Sequence, residues 1–365
     1  MKQERLNTSQ LSIVVAITVV GTSVLSIPRV LSSGAENSGW ISLIVGWAIG
    51  AVGMVLFVRL AERFPTKTLT EYTALVLGRW LGKVVSLSLS GYFIGLSALY
   101  ARLFSQAIVI PLLPETPFSV ILGMFVVLLA YETHAGLQSI SQLSQVFIVP
   151  IALSAILIVA GVAPLIDLGR LAPFLEPGPV QVLSTALVAS SYAGESIVVL
   201  MLYPYLTRKT GVLRAGLLGL GIALALLLPV VIAGVGVFGH DRIKDLMFPM
   251  LSLARLIRLS GFIEHAEVLF VVLWLFSAFL KVSIFFYCGC IALAQSLDID
   301  DYRPLVNILA VIVTFGSMLP DNVAVDLEWG SIVDKYGWLI QYGIALLMFT
   351  ATLLLRRGDP SDQVS

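Results

Sequence analysis

Three short stretches carry the residues of this chain that could do chemistry: GTSVLSIP (Gly21 to Pro28), SSYAGES (Ser190 to Ser196) and SAFLKVSIFFYC (Ser277 to Cys288). Each sits inside a long apolar run, at about 9–33, 179–206 and 265–295. Lys281 lies near the middle of the last run, where a charge in a bilayer costs about 2.5–3.5 kcal/mol on insertion scales. Ser277 is one turn earlier on the same helix face, and Ser283 follows two residues later. Glu195 is the acidic counterpart, and a buried carboxylate with no partner becomes neutral. The polar and small residues Gly21, Thr22 and Ser23 in one run match Tyr192, Ala193, Gly194 and Glu195 in the other. If these residues open their helices, the freed N–H and C=O groups must face protein or a wet cavity. A half-helix N-terminus then suits a carboxylate, and free carbonyls at a C-terminal end suit an ammonium. That chemistry is the binding of a small zwitterion. Small-residue packing between helices is the competing explanation for either interruption.

The composition says what must position these groups. Of 365 residues, 58 % are hydrophobic and only 12 % charged, against about 25 % charged in soluble proteins. The chain is read as an integral membrane protein, all-α, in one transmembrane domain spanning 1–365. A spanning helix needs about 20 apolar residues. Ten stretches meet that need, at about 9–33, 39–61, 84–112, 118–134, 143–166, 179–206, 211–238, 265–295, 304–320 and 335–356. Five spans followed by five more give halves of opposite orientation, so spans 1 and 6 correspond and their paired interruptions mark a site at mid-depth. Thirteen of the twenty-two Lys and Arg residues fall on the side of the N-terminus, which places both termini in the cytoplasm. In the longest connection, about 239–264, Met250, Leu253, Leu256 and Ile257 recur at helical spacing opposite Arg255 and Arg258, as expected of a short helix lying across the outer face.

Other functional classes are disfavoured. The net charge is zero, so there is no basic field for nucleic acid. Cys288 and Cys290 are two apart on different helix faces, a poor disulfide and a poor metal site. The three histidines, His134, His240 and His265, are scattered, and HAEV (His265 to Val268) has Glu267 but no second His a turn later. No enzyme, metal site or cofactor is expected.

GTSVLSIP resembles the Gly-Ser-Gly-Val-Phe-Leu-Leu-Pro signature in the first span of amino acid permeases of the amino acid, polyamine and organocation superfamily, with Ser23 replacing the second Gly. AGES, Ala193 to Ser196, resembles the Gly-x-Glu-Ser of their sixth span, with Gly194 directly before Glu195. Within that superfamily the chain is more similar to the spore germination permeases, the B subunits of nutrient germinant receptors. AERFPTKTLTEYTALVLGRWLGK (Ala61 to Lys83), LLPETP (Leu112 to Pro117) and SAFLKVSIFFYC carry that similarity. The resemblance implies a LeuT-like five-plus-five fold with helices 1 and 6 broken, and residence in the inner membrane of the bacterial spore. It also implies sensing of a nutrient, commonly an amino acid, and assembly with a larger A subunit and a lipoprotein C subunit. The alternative is a proton-coupled amino acid transporter acting alone.

On this reading Gly21, Thr22, Ser23, Tyr192, Ala193, Gly194 and Glu195 meet the ligand, and Tyr100 in span 3 closes over it. The small residues at both breaks fit alanine, valine or another small amino acid. In sodium-coupled proteins of this kind a cation lies between spans 1 and 8. Lys281, with Ser277, is therefore expected to act as a built-in cation bonding open carbonyls of span 1, the other reading being a structural ion pair. Glu195 is either a proton-sensitive gate or the partner of a cation. Arg102 is expected to pair with Glu132 or Glu195, Glu132 and His134 to sit at a solvated loop end, and Arg29 to be an interfacial charge.

Overall fold

The computed structural model describes residues 5–257, 266–320 and 323–354, and they are helical almost throughout. α1 (Thr8–Ala35) starts at a capping box in which Asn7 and Gln10 bond each other's backbone N–H groups. A 3₁₀ turn, Glu36–Ser38, leads to α2 (Gly39–Arg63). α3 (Leu69–Leu77) has its own capping box, Thr68 with Glu71, and lies between α2 and α4 (Arg79–Val109). α5 (Phe118–Ala135) and α6 (Leu137–Val162) are joined only by Gly136, whose φ of 91° few other residues would accept. This tight junction corrects one expectation: Glu132 is not at a solvated loop end but buried, 6 % exposed.

The sixth span is assembled from α7 (Pro179–Gly194), a 3₁₀ turn Glu195–Ile197 and α8 (Val198–Leu202). α9 (Val212–Phe238), the one-turn α10 (His240–Ile243) and α11 (Pro249–Leu256) follow, then α12 (Ala266–Ser296), α13 (Arg303–Met318) and α14 (Val323–Leu354). Each of the ten expected stretches falls on one of these helices or, for the sixth, on the α7–α8 pair. Among the described residues eight segments are long and apolar enough to cross a membrane. The first of them, Thr8–Arg63, contains both α1 and α2, and α13 is shorter at 16 residues. At about 1.5 Å per residue, α1 alone is about 40 Å long, enough for one crossing.

Burial separates two layers. From Val14 to Leu25 in α1, and from Ala189 to Tyr203 through α7 and α8, every residue is buried. A helix buried on all sides is a core helix. α1 packs on α9, α12, α6 and α7, and α2 lies across α7 and α9. Outside them α5, α6 and α13 present apolar faces such as Val127, Val149 and Ile308, exposed as lipid-facing side chains must be. A short parallel bridge, Leu6 with Leu206, ties the start of α1 to the end of the sixth span, so both lie on one side.

The longest connection contains the expected short helix, α11. Met250, Leu253 and Ile257 turn inward while Arg255 is exposed; Leu256, expected in the same stripe, is exposed as well. Lys2, Arg258, His265, Arg356 and Arg357 lie outside the described residues, as does the side chain of Glu267.

The expected break in span 1 is absent. α1 runs unbroken through Gly21, Thr22 and Ser23. The physical reason lies in the hydroxyls: Thr18 donates to the Val14 carbonyl at 2.7 Å and Ser23 to the Val19 carbonyl at 2.6 Å, each four residues back. These polar side chains satisfy themselves within the helix and leave no unpaired hydroxyl of their own in the protein core. The sixth span is interrupted, but by tightening to 3₁₀ rather than by unwinding. A 3₁₀ stretch in mid-helix commonly marks a hinge or a strained sequence.

Candidate functional site

Two deeply buried charges meet where the first, third, sixth and eighth spans converge. Lys281 of α12 has no solvent exposure, and its Nζ donates to Glu195 Oε2 at 2.7 Å. The other oxygen, Oε1, accepts from the Tyr100 hydroxyl of α4 at 2.5 Å. The ammonium also lies 4.3 Å from the centre of the Tyr100 ring, a cation–π contact made in a dry setting where such contacts are strongest. Glu195 is thus a ring-closed corner of a Tyr100–Glu195–Lys281 triad.

Gly21 makes the triad possible. A Cβ at residue 21 would stand 2.5 Å from Lys281 Cβ and 2.8 Å from the Ser277 carbonyl oxygen. Only the missing side chain lets the Lys281 stem and α12 press against α1 at mid-depth. Lys281 was expected to bond open carbonyls of span 1; with α1 unbroken, its bonded partner is Glu195. The Ser277 hydroxyl is buried with no hydrogen-bond partner among the described residues.

Beyond the triad, toward the end of α1 that carries Pro28, a cavity of about 590 Å³ opens between α1, α4, α7 and α14. Thr22 and Arg29 line it from α1, Tyr100 from α4, Tyr192 from α7 and Asp334 from α14. The structure therefore brings Thr22, Tyr100 and Tyr192 of the expected site to one space, with Glu195 and Lys281 bonded just below through Tyr100. It turns other members elsewhere. The Ala193 side chain meets α2 at Gly50, Gly194 meets Gln341 and Tyr342 of α14, Gly21 meets α12, and Ser23 bonds its own helix.

Arg102 donates to the Ser317 carbonyl at 2.8 Å and lies over the Phe118 ring, while Glu195 is engaged by Lys281 and Tyr100. His134 meets Asn307 at 3.2 Å. Cys288 and Cys290 are both buried and free.

A model of the spore germination protein family matches residues 5–324. The chain belongs to that family. Among relatives, it is 28 % identical over 357 residues to spore germination protein A2 of Bacillus subtilis, covering 97 % of each chain. It is 25 % identical to spore germination protein KB of the same organism, covering 79 % of this chain and 77 % of that one. Among solved structures, Mhp1, a nucleobase-cation-symport-1 family transporter in a closed conformation with bromovinylhydantoin bound, superimposes with a TM-score of 0.70 at 13 % identity. That match covers 97 % of this chain and 80 % of Mhp1. MhsT, in complex with L-phenylalanine, gives a TM-score of 0.64 at 14 % identity, covering 97 % and 99 %. The fold of this spore germination protein is therefore LeuT-like, that of permeases and transporters rather than of enzymes.

Sequence reasoning missed Asp334 and Gln341. The tenth span was expected to start at 335, so Asp334 read as a loop residue, yet α14 begins at Val323 and carries it into the cavity wall. Its backbone carbonyl accepts from the Ser191 hydroxyl at 2.8 Å, and Ser191 in turn accepts from the Trp338 N–H at 3.0 Å. Gln341, two turns on from Asp334, donates to the Tyr92 hydroxyl at 2.9 Å and sits against Gly194. The signal was the spacing of Asp334 and Gln341, seven residues apart, which puts both on one face of the helix.

Proposed function

We propose that this family member is the nutrient-sensing B subunit of a spore germinant receptor, and that a small zwitterionic ligand such as an amino acid occupies the cavity between α1, α4, α7 and α14. The observation that carries the reading is the cavity itself, whose floor is Tyr100, bonded to Glu195 at the interruption of the sixth span. A ligand resting on Tyr100 and Tyr192 touches the one central helix that is not continuous, and so can bias how α7 and α8 are joined. It does so only to the extent that it binds the two arrangements with different affinity. The signal then passes to partner A and C subunits in the inner spore membrane, with both termini of this chain cytoplasmic.

The test is thermal unfolding of the purified full-length protein against a panel of amino acids. Stabilisation by at least one of them, lost on substituting Tyr192 by Ala, is the expected result; no stabilisation by any defeats the reading. A second reading, a proton-coupled amino acid transporter acting alone, is favoured by the likeness to solved transporters with bound small molecules. Proteoliposomes holding only this chain separate the two: uptake of labelled amino acid driven by a proton gradient supports the transporter, and binding without uptake supports the sensor.

A further inference from the structure

Glu195, the carboxylate expected to meet a ligand, does not line the cavity, and each of its oxygens already accepts a hydrogen bond. Oε1 is taken by Tyr100 and Oε2 by Lys281. A ligand ammonium that displaced Lys281 would leave a fully buried charge without its partner, and breaking one side of a buried pair is strongly unfavourable. The cavity has another acid. Among the residues that line it, Asp334 is the one carboxylate. The Tyr192 hydroxyl stands between the Asp334 carboxylate and the Ser26 hydroxyl, without closing a well-formed hydrogen bond to either. On the facing wall α1 supplies Arg29, whose charge acts on Asp334 across the space and whose Nε is buried with no partner. The cavity thus presents a negative group and a phenol on one side, a guanidinium on the other, and an apolar wall of Leu99, Leu103 and Val188 beside them; Lys335, a second cation in the lining, follows Asp334 on α14 and lies over the Tyr336 ring.

We infer that the ligand is an α-amino acid held with its ammonium on Asp334 and the Tyr192 hydroxyl and its carboxylate on Arg29, its aliphatic side chain lying along Leu99, Leu103 and Val188. The inference rests on the nutrient-site reading above and adds the orientation and the two charges that select the ligand. Ammonium and carboxylate are both necessary on this arrangement: a ligand lacking one leaves Asp334 or Arg29 facing the cavity uncompensated, and hydrogen bonds to charged groups are the strong ones.

The experiment uses the full-length protein in detergent and reads apparent affinity from thermal stabilisation. The probes are L-alanine, L-valine, L-leucine and L-phenylalanine, each with its deaminated acid and its carboxamide. The wild type is expected to bind at least one amino acid about tenfold or more tightly than either matched analogue. Asp334→Asn should abolish the preference over the deaminated acid, and Arg29→Gln the preference over the carboxamide. A wild type that binds the deaminated acid as well as the amino acid overturns the assignment whatever the variants do. Variants that keep both preferences overturn it too, leaving the nutrient site standing. If none of the four amino acids stabilises the wild type at millimolar concentration, nutrient site and orientation fall together.

Discussion

The first and sixth spans share a sequence style, small and polar residues in an apolar run, and they use it in opposite ways. In α1 the hydroxyls of Thr18 and Ser23 turn back on their own helix, and the helix continues. In α7 the hydroxyl of Ser191 reaches across to α14, Tyr192 faces the cavity, and the chain tightens into the 3₁₀ turn at Glu195. Ser190, beside Ser191, still bonds its own helix at the Leu187 carbonyl, so the difference between the two spans lies in Ser191, which is tied to a neighbour. What decides between them is the partner. Where α14 offers a backbone carbonyl and N–H, a hydroxyl bridges; where α12 offers only a lysine stem and a close backbone, glycine makes room.

The largest effects should come from the pair that joins the two regions. Lys281→Ala leaves the Glu195 carboxylate buried with only Tyr100, and Glu195→Gln leaves Lys281 facing a neutral amide. Loss of one side of a buried pair costs about 3–5 kcal/mol, whereas replacing both sides by well-fitting neutral groups is often close to neutral. The double variant Lys281→Met with Glu195→Gln should therefore unfold in detergent at a higher temperature than either single variant. If the double variant loses as much as the two single variants summed, the charges are independent and the triad does not join the spans.

A smaller but still large effect separates the glycines. Gly21→Val must push the Lys281 stem and the Ser277 backbone aside, and neither yields readily: the lysine is fixed by Glu195 and the backbone belongs to α12. Overpacking of this kind costs about 1–3 kcal/mol. Gly194→Ala presses instead on the ends of two side chains, Gln341, which can swing at the expense of one bond to Tyr92, and the Tyr342 hydroxyl, which is bonded to the Ser190 carbonyl. The helix propensity gained on replacing Gly by Ala offsets part of that. The expected order in thermal unfolding is Gly21→Val well below Gly194→Ala, with Gly194→Ala near wild type. The reverse order would mean that α14, not α12, is the rigid wall of the site.

Much of this was legible in the residues. The apolar runs fell on helices because the hydrocarbon thickness favours long apolar stretches, though among the described residues eight segments are long and apolar enough to cross a membrane; Lys281 and Glu195 stood out because charges in an apolar span need partners. Their pairing with each other was not legible, since nothing in one chain's spacing says which helices touch. The continuity of α1 was misread for a local reason: a Ser or Thr in a span looks the same whether it breaks the helix or bonds the carbonyl four residues back. Asp334 was missed because hydropathy falls at EWGSIVDK although the helix continues there, its charges facing the cavity or water.

The finest test of the comparison lies in two serines. Ser23 spends its hydroxyl on the Val19 carbonyl, which already has helical geometry, so Ser23→Ala removes a bond that holds no second element in place. Ser191 donates to the Asp334 carbonyl and accepts from the Trp338 N–H, so Ser191→Ala leaves the N–H of Trp338 without that acceptor and removes one tie between α14 and α7, the bond from the Tyr342 hydroxyl to the Ser190 carbonyl remaining. Interhelical hydrogen bonds in membranes average about 0.6 kcal/mol and reach about 1.7. Ser191→Ala should fall toward the upper figure and Ser23→Ala toward zero in thermal unfolding of the detergent-solubilised protein. Ser191→Ala should also weaken amino acid binding, because the bond it removes is the one made at Asp334 itself, while Ser23→Ala leaves binding as it is. Equal losses in both variants would mean that the hydroxyl in the continuous helix also holds a neighbour, and the distinction between the two spans would then rest on Gly21 and the 3₁₀ turn alone.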